Sequence, residues 1–219
     1  MNDAEPPQYR QPSFTSADAG AAFPWPPPEQ GGIIAAFVAT WQQSAFRPRQ
    51  FFAKVPAHGG TGAALLYYLV VGILASSLHL FWATLLPRDL PSMLEPFAAT
   101  RPLTQFLLSP LYLLATAVLV AGTVHLFIMV LVPQRGSFGK TLRVTCYAYS
   151  PALLEVIPWV GGVAAFIWIV ALACLGIREA HDTSLARAIA AVVMPFVLFM
   201  GLVSAALLAF ATGAALLRP

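Results

Sequence analysis

Across residues 144–177 the chain carries one charged side chain, Glu155. A helix needs about 20 apolar residues to cross the hydrocarbon core of a bilayer, and this tract is long enough for two crossings with a turn between them. Pro158 and the pair Gly161–Gly162 supply the turn, because proline ends a helix and paired glycines suit a tight reversal. Cutting there yields spans at 141–157 and 161–177. The same length criterion selects 63–86, 110–132 and 188–212. The expected fold is therefore all-α, a polytopic bundle of five transmembrane helices. Composition agrees, for 58% of residues are hydrophobic and 10% charged. Soluble domains carry about 25% charged residues.

The remaining chain divides by composition. Residues 1–32 hold Pro6, Pro7, Pro12, Pro24 and Pro26 to Pro28 among glutamine, serine and scattered acids, and read as a disordered cytoplasmic tail. The tail has no apolar h-region, so a cleaved signal peptide is not expected. Trp25 beside its prolines reads as part of a flexible spacer rather than a polyproline ligand. Residues 33–56 form an amphipathic piece: Ile33, Ile34, Phe37, Val38 and Trp41 recur at helical spacing, followed by Arg47, Arg49 and Lys54. That stripe is too short to span, and its basic residues suit an anionic surface, so an interfacial helix is expected. Residues 57–219 are the membrane domain.

Orientation follows from the arginines and lysines. Nine of the twelve fall before the first span or in the connections after the second and fourth: Arg10, Arg47, Arg49, Lys54, Arg135, Lys140, Arg143, Arg178 and Arg187. Arg88, Arg101 and Arg218 fall on the other side. The positive-inside rule then puts the N-terminus in the cytoplasm and the C-terminus outside, as expected for a multi-pass protein of a bacterial cytoplasmic (inner) membrane. The basic residues are not interleaved with aromatics along a groove, so no nucleic-acid partner is expected. Cys146 and Cys174 lie in apolar segments, as small hydrophobes.

One run of residues resembles a known family. Phe138, Thr141 to Val144, Cys146-Tyr147-Ala148-Tyr149-Ser150-Pro151, Leu153-Leu154, Ile157-Pro158, Gly161-Gly162, Trp168 and Gly176-Ile177-Arg178-Glu179-Ala180-His181 are similar to the core of the YIP (Ypt/Rab-interacting protein) domain family. Pro48, Phe51 and Phe52 resemble its cytoplasmic lead-in, and Pro195 falls where the fifth span carries a proline. The resemblance covers about residues 45 to 212 and implies five helices with a cytoplasmic N-terminus. It also implies membrane shaping or sorting and, in eukaryotic members, binding of small trafficking GTPases. The acidic-Leu-Tyr-Gly-Pro motif of those members is missing from this tail, and Asp89-Leu90-Pro91 lies in an outer loop. The Ala/Leu/Arg-rich composition and compact loops look bacterial.

Candidate chemistry concentrates on one acid. On a continuous third helix Tyr147, Pro151, Glu155 and Pro158 share a face, and Pro151 removes the amide that would bond the Tyr147 carbonyl. His79 falls in the same outer half, on a stripe with Gly72, Ser76 and Ala83. Two readings stay open: Glu155 and His79 pair as a proton or ion site, or Glu155 snorkels to the outer headgroups while His79 bonds a neighbouring helix. His125, beside Ala121 and Gly122, reads as a structural interhelical histidine. Lys140 and Arg143 are expected to hold the start of the third span at the anionic inner leaflet, with lipid as partner. Gly136 to Thr141 resembles the end of a phosphate-binding loop, but Gln134 stands where its first glycine belongs, and nucleotide binding is rejected. Glu179, His181 and Asp182 are too crowded along the chain for a metal cage and read as a solvated loop.

No catalytic, cofactor or metal site is expected, and no enzyme motif occurs. The reading is a membrane-organising or partner-binding scaffold, linked to membrane trafficking or envelope homeostasis, that engages a protein partner through its cytoplasmic N-terminus. The alternative is a small transporter or channel using Glu155 and His79. Small-residue stripes serve equally inside one bundle or between copies in a homo-oligomer.

Overall fold

A computed structural model describes residues 23–27, 32–56, 59–86, 102–133 and 136–216, with side chains of the last helix through residue 207. Arg10, Arg88, Arg101, Arg135 and Arg218 lie outside the described residues, as do Asp89-Leu90-Pro91 and residues 1–22 of the tail. Every described element is helical. In chain order they are α1 (Ile33–Phe46), α2 (Pro48–Ala53), α3 (Thr61–Leu85), α4 (Pro102–Leu131), α5 (Phe138–Ala148), a 3-10 helix (Ser150–Val156), α6 (Gly161–Ala180) and α7 (Leu185–Leu216).

Four of these helices are long and apolar enough to cross a membrane: Thr61–Leu85, Leu103–Leu131, Gly161–Ala180 and Leu185–Leu207. At residues 141–157, expected as the third of five spans, no single α-helix of membrane length forms. There an α-helix ends at Ala148 and a 3-10 helix takes over from Ser150 to Val156. The cause is Pro151, which has no amide to continue the α-helical ladder. Ser150 supplies the missing bond: its hydroxyl donates to the freed Tyr147 carbonyl at 2.7 Å.

This broken segment still runs alongside α3 for most of that helix. Arg143 donates to Gly59 O and Thr61 Oγ1 at the start of α3, and the Tyr67 and Tyr147 rings meet at 5.3 Å. Tyr68 then stacks on Tyr149, and Trp82 Nε1 donates to Val156 O near the far end. Gly59 and Gly60 make the approach to α3 with positive φ, 74° for Gly59 and 69° for Gly60. Glycine enters that region without a Cβ clash.

Small residues set the helix spacing, as in membrane bundles generally. A Cβ on Gly72 would stand 2.5 Å from Leu113, so α3 and α4 touch there; one on Gly176 would stand 2.6 Å from Val144 and 3.0 Å from Phe52. Ala64, Ala117, Ala121, Ala188 and Ala191 are fully buried. Large apolar side chains face outward instead, among them Val130, Leu119, Leu202 and Phe199. That inverted arrangement suits a lipid surround, where exposed leucine costs nothing.

Two lead-in aromatics also join the core. Phe23 packs on Phe51 and Tyr147, while Trp25 donates its indole N–H to Ala63 O at 2.7 Å. Both fall in the segment expected to be a disordered tail, of which residues 23–27 pack against α2, α3 and α5. Their aromatic area and the indole hydrogen bond offset the ordering entropy that a polar tail cannot.

The turn at 157–160 between the 3-10 helix and α6 falls where Pro158 and the glycine pair indicate. Gly161 and Gly162 contribute differently. A Cβ on Gly161 would collide with the Leu154 carbonyl, whereas one on Gly162 meets nothing within 4 Å. Gly161→Ala is expected to destabilise the detergent-solubilised protein by about 2 kcal/mol or more. Gly162→Ala should be neutral or stabilising by up to about 1 kcal/mol. Thermal melts of the two variants side by side check this, and equal melting points would contradict it.

Candidate functional site

Three polar clusters sit on this frame. The first is a hydroxyl knot at the break. Ser150 has one hydroxyl hydrogen, and it goes to Tyr147 O. The Tyr67 hydroxyl, at 2.8 Å, and the Ser44 hydroxyl, at 2.6 Å, both lie within hydrogen-bond distance of Ser150 Oγ, and Ser44 also reaches Trp41 O at 3.1 Å. Trp41 Nε1 donates to Ser150 O at 3.0 Å. Ser44 and Trp41 belong to α1, which is thus fastened to the third segment across more than a hundred residues of sequence. Trp168 of α6 adds a bond to Ala45 O.

The α1 helix is therefore two-faced, and three of the five residues of its expected stripe are exposed. Phe37 and Trp41 turn inward, Phe37 against Tyr67 at 5.4 Å. Ile33, Ile34 and Val38 point out, at 67%, 79% and 40% exposure. Arg47, Arg49 and Lys54 follow at exposed positions, as a lipid-surface role requires.

The second cluster lies at the far end of the bundle. A cavity of about 150 Å³ between α3, α4 and the 3-10 helix is lined by Ser76, His79, Gln105, Tyr112, Tyr149 and Glu155, with Ala75, Leu80, Phe106 and Leu113 as its apolar wall. The structure brings Glu155 and His79 into one cavity. It does not bring Tyr147 or Pro151 there. Tyr147 is buried against Phe23, Phe51 and Tyr67, and Pro151 is buried nearby. Their shared face with Glu155 presumed a continuous α-helix at about 100° per residue. A 3-10 helix advances about 120° per residue, and between Tyr149 and Glu155 the difference swings Glu155 away by about a third of a turn. Nor is the Tyr147 carbonyl left as an open acceptor, because Ser150 occupies it. Tyr149, Tyr112 and Gln105 had no sequence signal: only the rotation and the α4 packing bring them to Glu155.

The third cluster closes the opposite end. Gly136 N–H donates to His181 Nδ1 at 3.0 Å, and His181 Nε2 faces Thr141 Oγ1 at 3.0 Å. With Nδ1 accepting, the ring proton sits on Nε2 and is donated to Thr141. The Thr141 hydroxyl hydrogen then goes to His125 Nδ1 at 2.8 Å. His181 is therefore a buried connector between the α4–α5 loop, α5 and α4, and no longer part of a solvated loop. Among the described residues no group of three His, Cys, Asp or Glu side chains is placed to hold a metal ion. Lys140 donates to Ala180 O at 3.3 Å.

Arg143 was expected at the lipid surface, but it is 2% exposed and bonded to the start of α3. A guanidinium carries several donors in a fixed fork. That fork ties the loop before α3 to α5, so its role is internal.

Comparison with known families can now be set beside this geometry. The Yip1 domain matches residues 43–207. The chain belongs to the Yip1 domain family. Neither a curated protein nor a solved structure matches it. The Yip1 match takes in Ser44, the whole broken segment, both ends of the bundle and the cavity, whereas Phe23, Trp25 and most of α1 precede it.

Burial pushes the His181 imidazole down to about 4, aided by the neighbouring His125 and Lys140. A histidine whose folded pKa lies below its unfolded value of about 6.5 stabilises fully above that value. Its contribution is lost as pH falls from about 6.5 towards 4, because the unfolded chain then binds a proton that the folded one refuses. Wild type should melt higher than His181→Gln at pH 8, and the gap should narrow steadily between pH 7 and pH 4. A gap that stays constant would contradict the buried neutral ring.

Proposed function

We propose that this Yip1-domain protein is a membrane-organising scaffold of a bacterial cytoplasmic membrane, crossing five times with its N-terminus inside. A fifth crossing is supported by the course of the broken segment, which keeps pace with α3 from Thr61 to Trp82. Helical rise makes that stretch of α3 about 31 Å, the thickness of the hydrocarbon core. Orientation is supported by charge. Arg47, Arg49, Lys54, Lys140, Arg178 and Arg187 all lie near the same ends of their elements, around the start of α3 and the α6–α7 turn.

The observation that carries the scaffold reading is the fastened α1 helix. Its inner face is hydrogen-bonded to Ser150 and its outer face presents Ile33, Ile34 and Val38 at one end of the bundle only. Amphipathic helices bury their apolar face about 5–10 Å into the headgroup boundary. A helix held at that depth in one leaflet expands that leaflet alone, which bends or sorts membrane. The partner-binding half of this reading rests on the Pro-rich N-terminal segment, through which a protein partner would be engaged. This role needs no catalytic group.

Reporters fused after residue 218 should be external and those inserted at Asp182 internal; an external Asp182 site would remove the fifth crossing. In anionic vesicles the full chain should reduce mean vesicle diameter, measured by electron microscopy. Replacing Ile33, Ile34 and Val38 by serine should abolish the effect, since each buried aliphatic side chain contributes about 2 kcal/mol. Unchanged vesicles with wild type would refute the wedge.

A second reading has its own observation: Glu155 and His79 line one cavity. In a small transporter or channel these two groups would carry a proton or ion. Vesicles holding a pH-sensitive dye should then show a leak with wild type that falls at least tenfold in Glu155→Gln, and equal leaks would retire the reading.

A further inference from the structure

The cavity around Glu155 has a composition that neither the scaffold nor the proton reading uses. One wall is a carboxylate, and among the described residues no lysine or arginine forms an ion pair with it. Three aromatic rings, Phe106, Tyr112 and Tyr149, line the same space. Tyr149 is held in place by its stack on Tyr68, at a ring separation of 4.6 Å. We propose that this cavity binds a primary ammonium group, either on the headgroup of an ethanolamine lipid or on a small free amine.

The chemistry selects against the other guests. An anion would meet the Glu155 carboxylate. A divalent metal would lack ligands, since the described residues offer no cluster of three. An apolar guest would leave the carboxylate desolvated without a partner, which is costly. A primary ammonium suits both parts of the site: its N–H groups donate to the carboxylate, and its charge lies beside aromatic rings, a residue type that attracts cations. The apolar wall of Ala75, Leu80 and Leu113 suits the adjoining methylenes. Size agrees as well, because the cavity measures about 150 Å³, and an apolar cavity of that order takes a benzene-sized guest.

Depth places the lipid source within reach. His79 stands eighteen residues after Thr61, about 27 Å along α3. That is close to the far boundary of a hydrocarbon core about 30 Å thick. Trp82, bonded to Val156 O, and the exposed Trp159 mark the same level, where tryptophan belts form. A headgroup can therefore enter from the side while its acyl chains stay in the bilayer. A quaternary ammonium keeps the charge but has no N–H to donate, so phosphatidylcholine is the discriminating control. The proposal stands if the scaffold reading fails, because its assay reads neither curvature nor flux.

The test uses the full chain in detergent, titrated with phosphatidylethanolamine, phosphatidylcholine and phosphatidylglycerol of matched acyl chains and followed by native mass spectrometry. Phosphatidylethanolamine should bind at least tenfold more tightly than the other two. Glu155→Gln should lose that preference and Glu155→Asp should keep most of it. Tyr112→Leu, at an outward-facing position, should weaken it about fivefold and serves if the glutamine variant does not fold. Competition by ethanolamine alone at low millimolar concentration assigns the site to free amines; resistance to it assigns the lipid headgroup. Equal binding of phosphatidylethanolamine and phosphatidylcholine, or a preference untouched by Glu155→Gln and Tyr112→Leu, overturns the proposal.

Discussion

A backbone carbonyl inside a bilayer has no water to turn to, so every break in a spanning helix must find its partners within the protein. Pro151 breaks a buried helix of this chain, and the arrangement around it meets the same requirement. Ser150 caps the stranded Tyr147 carbonyl, Tyr67 and Ser44 meet its hydroxyl, and Trp41 Nε1 donates to the Ser150 carbonyl. These partners come from distant parts of the chain. Satisfying one proline therefore fixes α1 and α3 against the third segment, and the change to 3-10 pitch decides which side Glu155 faces.

The two ends of the bundle use polarity in opposite ways. At the basic end, Gly136, His181, Thr141 and His125 form a directional chain in which each hydrogen has one place to go, and Arg143 closes the neighbouring gap. The result is a rigid floor. At the other end Glu155, His79 and the tyrosines surround open space.

Apolar runs and proline–glycine punctuation were enough to read the all-helical membrane architecture and the turn at Pro158–Gly161, because bilayer thickness imposes a length that the sequence must match. The family resemblance was carried by residues that the Yip1 domain match spans. The broken segment was not legible as such. Residues 141–157 have the apolar length of a span, and only the Ser150 hydroxyl bond shows where the helix changes pitch. That change could not be foreseen from an α-helical periodicity, so Tyr147 was grouped with Glu155 and Tyr149 was passed over. Arg143 misled for another reason: an arginine at the start of an apolar run reads as a surface anchor, and its true partners, Gly59 and Thr61, lie over eighty residues away. Trp25 sat in a polar tail where a single aromatic gives no signal of its own.

The double attachment of α1 makes it a mechanical element as well as a structural one. Its outer residues are exposed, and its inner residues hold the place where the third segment has surrendered α-helical bonding. Ser44 and Trp41 both end on Ser150. The 3-10 helix that follows carries Glu155 near its other end, so α1 and the wall of the cavity are joined through one seven-residue element.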